Sequence, residues 1–144
     1  EYVDAIKRLK EQGLQAKFQI LGAMDPEHKR GIKKELIQQW IQEGTFEYLG
    51  TTQDVRSFIH KADCVVLPSY REGTPRTLLE AACSAKPIIA TDVPGCNHVV
   101  ENNYNGLLCK LKDEEDLASK MKQMQAFSDS TLKEFGSNGR LKME

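Results

Sequence analysis

Apolar positions along the chain alternate between two periods. Tyr2, Val3, Ile6 and Leu9 recur at helical spacing up to Gly13, and the short run Phe18 to Leu21 then closes on Gly22. A helix followed by a strand is the reading. Ile32, Leu36, Ile37, Trp40 and Ile41 mark one face of a second helix that stops near Gly44, and Phe46 to Leu49 form a second strand before Gly50. Val55, Phe58, Ile59 and Ala62 give the inner face of a third helix. Cys64, Val65, Val66 and Leu67 follow as a continuous apolar run ended by Pro68, which fits a strand buried on both faces.

The alternation continues to the C-terminus. A helix is predicted from Pro75 to about Ala85, a buried strand over Pro87 to Thr91, and a turn at Val93, Pro94 and Gly95 with a short helix to Glu101. After the turn-rich Asn102 to Gly106 come a short strand at Leu107 and Leu108 and a helix opened by Asp113 that carries Leu117, Met121 and Met124. The tail beyond Ser128 is read as helical. Strands alternating with helices imply a parallel sheet, because parallel neighbours need crossovers and the crossovers cover the faces. The predicted class is doubly wound α/β in a single domain of 144 residues.

Composition narrows the partners. Twenty Lys and Arg oppose 21 Asp and Glu, so the chain has no overall field that favours nucleic acid or an anionic membrane. No apolar run approaches the roughly 18 residues of a membrane span, and the amphipathic N-terminus is no signal peptide. Cys64, Cys83, Cys96 and Cys109 form neither a CxxC pair nor a zinc pattern and are read as reduced, cytosolic thiols. Cys64 and Cys83 are expected in the core, and Cys96, in a loop, is the accessible one. Residue 1 is Glu, and the chain is read as a piece of something longer, truncated at both ends. His28, His60 and His98 are read as surface residues.

In open α/β sheets ligands bind beyond the carboxyl ends of the strands, which directs attention to the strand-to-helix loops. The stretch Tyr70-Arg71-Glu72-Gly73-Thr74-Pro75-Arg76-Thr77 stands out. Thr74 suits an N-cap and Pro75 the first helical position, where a missing N–H costs nothing. The N–H groups of Arg76 and Thr77 are then free to receive a diphosphate, and Gly73 permits close approach. Glu80 leans back toward that end of the helix, with two oxygens for a ribose diol. Glu72 would face a group beyond the phosphates, for which a sugar with free hydroxyls is a partner. Spacing alone also allows a plain reading, in which Arg76 and Glu80 are an exposed i, i+4 pair and Glu72 is a solvated loop residue.

The run from Pro68 to Gly95, with Glu72 and Glu80 separated by seven residues and followed by Pro87-Ile88-Ile89-Ala90-Thr91, resembles the signature of the retaining glycosyltransferases of the GT-B fold, family 4, the group 1 transferases. The similarity extends through Phe46-Glu47-Tyr48-Leu49-Gly50, Ala62 to Pro68 and Asn105 to Leu108, over about residues 2 to 126. The resemblance implies a Rossmann-like C-terminal domain that binds a nucleotide diphosphate sugar, with a UDP-sugar favoured. It gives Glu72 the catalytic place against donor-sugar hydroxyls, the backbone of Gly73, Thr74, Pro75, Arg76 and Thr77 the diphosphate, Glu80 the ribose and Gly50, Thr51 and Thr52 the base. No metal and no cofactor are implied. The acceptor would be a glycan or lipid-linked sugar in capsule, exopolysaccharide or lipopolysaccharide synthesis, met in the cytoplasm at the inner membrane face.

The sequence departs from the pattern at Thr74 and Pro75, where an aromatic and a glycine are common, and at Asn97 and His98, where Arg and an acidic residue are frequent. By the same resemblance the domain's first strand, the basic pair that follows it and the whole acceptor-binding N-terminal domain are absent. Such a fragment is expected to bind donor without turnover. The strands at Phe18 to Leu21 and Cys64 to Leu67 would flank the missing strand, and either pair directly or receive a strand from another copy by self-association. The alternatives are a stand-alone nucleotide-binding or interaction module without catalysis and a nucleotide-sugar epimerase of the same fold.

Overall fold

The computed structural model describes residues 1–22, 33–69 and 75–144. Within them the order is α1 (Tyr2–Glu11), β1 (Gln19–Ile20), α2 (Lys34–Gln42), β2 (Glu47–Tyr48), α3 (Arg56–Lys61), β3 (Val65–Leu67), α4 (Arg76–Cys83), β4 (Ile88–Thr91), α5 (Cys96–Val99), β5 (Gly106–Cys109), α6 (Glu114–Ala126) and α7 (Asp129–Met143). Every pairing is parallel: β1 with β2, and β3 with β4 with β5. Within each sheet the strands therefore end on the same side, where the strand-to-helix loops that matter for binding emerge.

Two apolar layers sandwich the strands. On one face Val3, Ala5, Ile6 and Leu9 of α1 meet Leu117, Ala118, Met121 and Met124 of α6 over Ile89 and Leu107. On the other, Leu78, Ala81 and Ala82 of α4 pack with Val93, Cys96, Val99 and Val100 over Ile88 and Ala90. Strand β4 is buried along its whole length, as a central parallel strand flanked by helices must be. Local chemistry fixes the helix starts. Asp113 accepts a hydrogen bond from the Asp116 N–H at 2.9 Å at the head of α6, and Ser128 caps α7 through the Thr131 N–H at 3.2 Å. Gly136 lets α7 lie directly on Ala85 at the end of α4, where a Cβ would collide with the Ala85 carbonyl.

Some expectations are corrected. Helix α4 begins at Arg76, so Pro75 is its N-cap (φ −75°, ψ 102°) and not its first helical residue. Cys83 is exposed, because it lies on the α4 face opposite Leu78 and Ala82, and Cys96 is fully buried, because α5 turns it into the core. Helix α2 carries the expected apolar residues, yet none is fully buried. Ile32 and His28 lie outside the described residues.

The sheet is split. Among the described residues β1 and β2 form one pair and β3 to β5 a separate three-stranded sheet, so of the two expected outcomes for the flanking strands, direct pairing or a strand received from another copy, direct pairing is not formed. The hydrogen-bond directions show which edges are left. The Val65 N–H bonds the Pro87 carbonyl at 3.1 Å, so Val66, one residue on, turns its backbone to the opposite side. Ile20 accepts from the Leu49 N–H at 2.9 Å, which turns Gln19 away from β2, and the Gln19 carbonyl takes the Tyr2 hydroxyl at 3.3 Å instead. Accordingly Val65, Val66 and Leu67 are half-buried rather than buried on both faces. The composition of the run predicts a central strand; its surroundings make it an edge.

Candidate functional site

The carboxyl edge of the strands carries most of the expected site residues. At the head of α4 the Leu78 and Leu79 N–H groups both turn back to the Pro75 carbonyl, at 3.0 and 3.2 Å. That leaves the N–H groups of Arg76 and Thr77 with no backbone partner among the described residues, at the positive end of the helix. Pro75 is buried and holds the entry to the helix, whereas Arg76 and Thr77 are exposed. Anion binding needs this combination of a fixed backbone and outward N–H groups.

Glu80 stands one turn further on. Its carboxylate is tied to Arg76, Nε to Oε1 at 3.2 Å, with 29% of the Glu80 side chain exposed against 91% of Arg76. The plain i, i+4 pair read from the sequence is therefore present. Among the described residues it leaves the second Glu80 oxygen able to accept from a ligand. Arg56, at the start of α3, also feels the Glu80 charge: its guanidinium is pushed further up first by the hydrogen bond and charge of Asp54, then by Glu80.

The loop after β2 forms the other side. Gly50 adopts φ +81°, a left-handed conformation suited to glycine, and its carbonyl accepts from the Gly22 N–H at 2.9 Å. The Tyr48 hydroxyl donates to the Gly22 carbonyl, so the ends of β1 and β2 are locked together. Thr52 Oγ1 accepts from the Asp54 N–H at 3.1 Å, and Asp54 holds Arg56 through Oδ1 and Oδ2 at 2.9 Å each. The Arg56 guanidinium drives the Asp54 carboxyl down to about 2. Thr51 and Thr52 are exposed. Gly50, Thr51 and Thr52 thus follow the carboxyl end of β2, and Pro75, Arg76, Thr77 and Glu80 follow that of β3. Glu72, Gly73 and Thr74 lie outside the described residues.

The sequence reading missed a cleft. Arg56 and His60 of α3, Arg76, Leu79, Glu80, Cys83 and Ser84 of α4 and its C-cap, and Arg140 of α7 line a cavity of about 390 Å³. No spacing rule brings Arg140 to this place, because it reaches α4 only through the antiparallel packing of α7. Among the described residues no group of His, Cys, Asp and Glu is placed to hold a metal ion, and no helix is long and apolar enough to cross a membrane.

Parallel strands alternating with helices, with α4 opening beyond the carboxyl end of β3, define a Rossmann-like α/β domain. The chain belongs to the group 1 glycosyl transferases, whose family model matches residues 1–126. It is 37% identical over 83 residues to the N,N'-diacetylbacillosaminyl-diphospho-undecaprenol alpha-1,3-N-acetylgalactosaminyltransferase of Campylobacter jejuni, a match that takes in 58% of this chain and 22% of that protein. The chain spans about a fifth of the length of this relative. The C-terminal domain of a group 1 family glycosyl transferase, LpcC from Francisella tularensis, superposes with a TM-score of 0.79 at 25% identity, covering 98% of this chain and 74% of that one. A variant of S. aureus TarM in complex with Fondaparinux, alpha-GlcNAc-glycerol and UDP superposes at 0.80 with 26% identity, over 99% of this chain and 28% of TarM. The architecture is that of a GT-B glycosyltransferase domain.

Proposed function

We propose that this chain is the donor-binding half of a retaining glycosyltransferase and holds a nucleotide diphosphate sugar, with a uridine nucleotide favoured. The observation that carries the reading is the head of α4, where the N–H groups of Arg76 and Thr77, without a backbone partner among the described residues, stand one turn from the Glu80 carboxylate. The diphosphate sits on those N–H groups, and Glu80 accepts hydrogen bonds from the ribose hydroxyls. Gly50, Thr51 and Thr52 receive the base through their main chain. TarM, a structural neighbour at 26% identity, was solved with UDP, and this supports the choice of base.

The roles of Glu72, Gly73 and Thr74 rest on the family pattern. Glu72 contacts the donor sugar as the catalytic carboxylate, while Gly73 and Thr74 complete the diphosphate loop. The acceptor, in this reading, is a glycan or lipid-linked sugar in the synthesis of capsule, exopolysaccharide or lipopolysaccharide; the name of the Campylobacter relative contains a sugar linked to diphospho-undecaprenol, which supports a lipid-linked acceptor. Stabilising the leaving diphosphate requires cations that the helix end alone does not supply, so residues 1–144 bind donor without transferring sugar. Calorimetric titration with UDP, GDP and ADP, each with and without a chelator, tests the reading. Binding of UDP that persists in chelator supports it. Absence of binding for all three nucleotides, or binding that appears only with magnesium or manganese, overturns the helix-end account.

A further inference from the structure

The cleft between α3, α4 and α7 extends beyond the residues the donor reading uses. Along α4 it runs from Arg76 and Glu80 to Cys83 and Ser84, one stripe of the helix. Ser84 lies about 6 Å further along the axis than Glu80, at 1.5 Å per residue. Three guanidinium groups and an imidazole line the cavity, against the single carboxylate of Glu80. This local excess of positive charge stands on a chain with a formal net charge of −1.

The charges are not equally committed. Arg76 is held by Glu80 at 3.2 Å, and Arg56 is held by both oxygens of Asp54 at 2.9 Å. Arg140 makes no ion pair with any described residue, and the exposed His60 and the half-exposed Ser84 line the same cleft. A planar guanidinium fork, a hydroxyl and an imidazole N–H are complementary to the several oxygens of a tetrahedral anion. The cavity, at about 390 Å³, is larger than a bare phosphate, and Leu79 gives it an apolar wall.

We propose that His60, Ser84 and Arg140, which line this cleft together, form a second anion site, which takes the phosphate group of a phosphorylated ligand separately from the donor. The phosphate belongs either to a soluble phosphate ester or to a lipid headgroup, and the same contacts serve both. The inference stands on the cleft and does not depend on the donor reading.

The test titrates the chain with inorganic phosphate and with glycerol phosphate, and measures its retention on vesicles of phosphatidylglycerol against phosphatidylcholine. Arg140→Gln and His60→Gln are each compared with the parent chain after circular dichroism has shown them folded. The expected result is a loss of phosphate affinity of about tenfold in Arg140→Gln and a smaller loss in His60→Gln, with UDP affinity unchanged. Retention on phosphatidylglycerol vesicles that Arg140→Gln abolishes assigns the phosphate to a headgroup. Saturation by glycerol phosphate without vesicle retention assigns it to a soluble ester. Unchanged phosphate affinity in both variants overturns the proposal, as does failure of any probe to bind at millimolar concentration. Competition between phosphate and UDP, with both lost in Arg140→Gln, also overturns it and gives Arg140 to the donor's diphosphate. UDP binding in the parent chain is read separately, so the failure of one proposal is distinguishable from the failure of the other.

Discussion

Replacing Glu80 with Gln separates the two roles its carboxylate could have. Among the described residues the carboxylate makes one ion pair, with Arg76 at 3.2 Å, and the Arg76 side chain is 91% exposed. Such a pair on a helix surface is screened by solvent and contributes at most about 0.5 kcal/mol, the less because Arg precedes Glu. Folding stability should therefore change by only a few tenths of a kcal/mol. Binding is different, because the ribose hydroxyls would donate to a charged acceptor that Gln replaces with a mixed donor and acceptor. The expected loss is roughly 1–3 kcal/mol in nucleotide affinity, or about 5- to 150-fold in Kd. Urea unfolding and calorimetric titration of the same preparations read the two quantities side by side. Unchanged UDP affinity would refute the ribose role and leave the surface ion pair as the whole function of Glu80.

Three further outcomes follow from the packing. Gly136→Ala forces a methyl group against the Ala85 carbonyl and should cost about 1–3 kcal/mol in urea unfolding; a value near zero would show that α7 does not dock as described. Burial pushes the Tyr2 phenol up to about 12 and, at the neighbouring Cys64, the thiol up to about 12 as well. Both groups are raised above their unfolded values, so the stability they contribute is complete below about pH 9 and falls as pH rises toward 12, by up to about 1.4 kcal/mol per pH unit for each. Tyr2→Phe should flatten the part of that fall between pH 10 and 12, and a parent chain equally stable at pH 8 and 11 would contradict the assignment. Among the described residues the edges of β1 and β3 are not joined to each other, so sedimentation should show concentration-dependent association through them. A strict monomer at every concentration would mean the split sheet persists unfilled.

Much of this architecture is legible in the sequence for local reasons. Asp113 followed by Leu117, Met121 and Met124 declares both the cap and the buried face of α6, and the structure shows each of them. Pro87 to Thr91 reads as a buried parallel strand, and β4 is one. The misreadings have a common cause. Cys64 to Leu67 has the composition of a central strand, but composition does not reveal whether a neighbour stands on each side. Cys83 reads as a core residue from its apolar run and Cys96 as accessible from its place in a loop, whereas the rotation of α4 and α5 decides which of them meets the core. Within the site, Arg76, Thr77 and Glu80 were found because they share one helix and one motif. Arg56, His60 and Arg140 come together only after three helices pack, and no sequence interval encodes that meeting.

The central claim is that a nucleotide diphosphate occupies the carboxyl edge of the strands at the head of α4. Amide chemical-shift mapping of the ¹⁵N-labelled chain during a UDP titration tests it most directly, since the N–H groups assigned to the phosphates are themselves the probes. The account predicts that the largest shifts fall on Arg76 and Thr77, with Gly50, Thr51, Thr52 and Glu80 following and the outer faces of α1 and α6 silent. Saturable shifts that cluster elsewhere, with Arg76 and Thr77 unmoved, would contradict it.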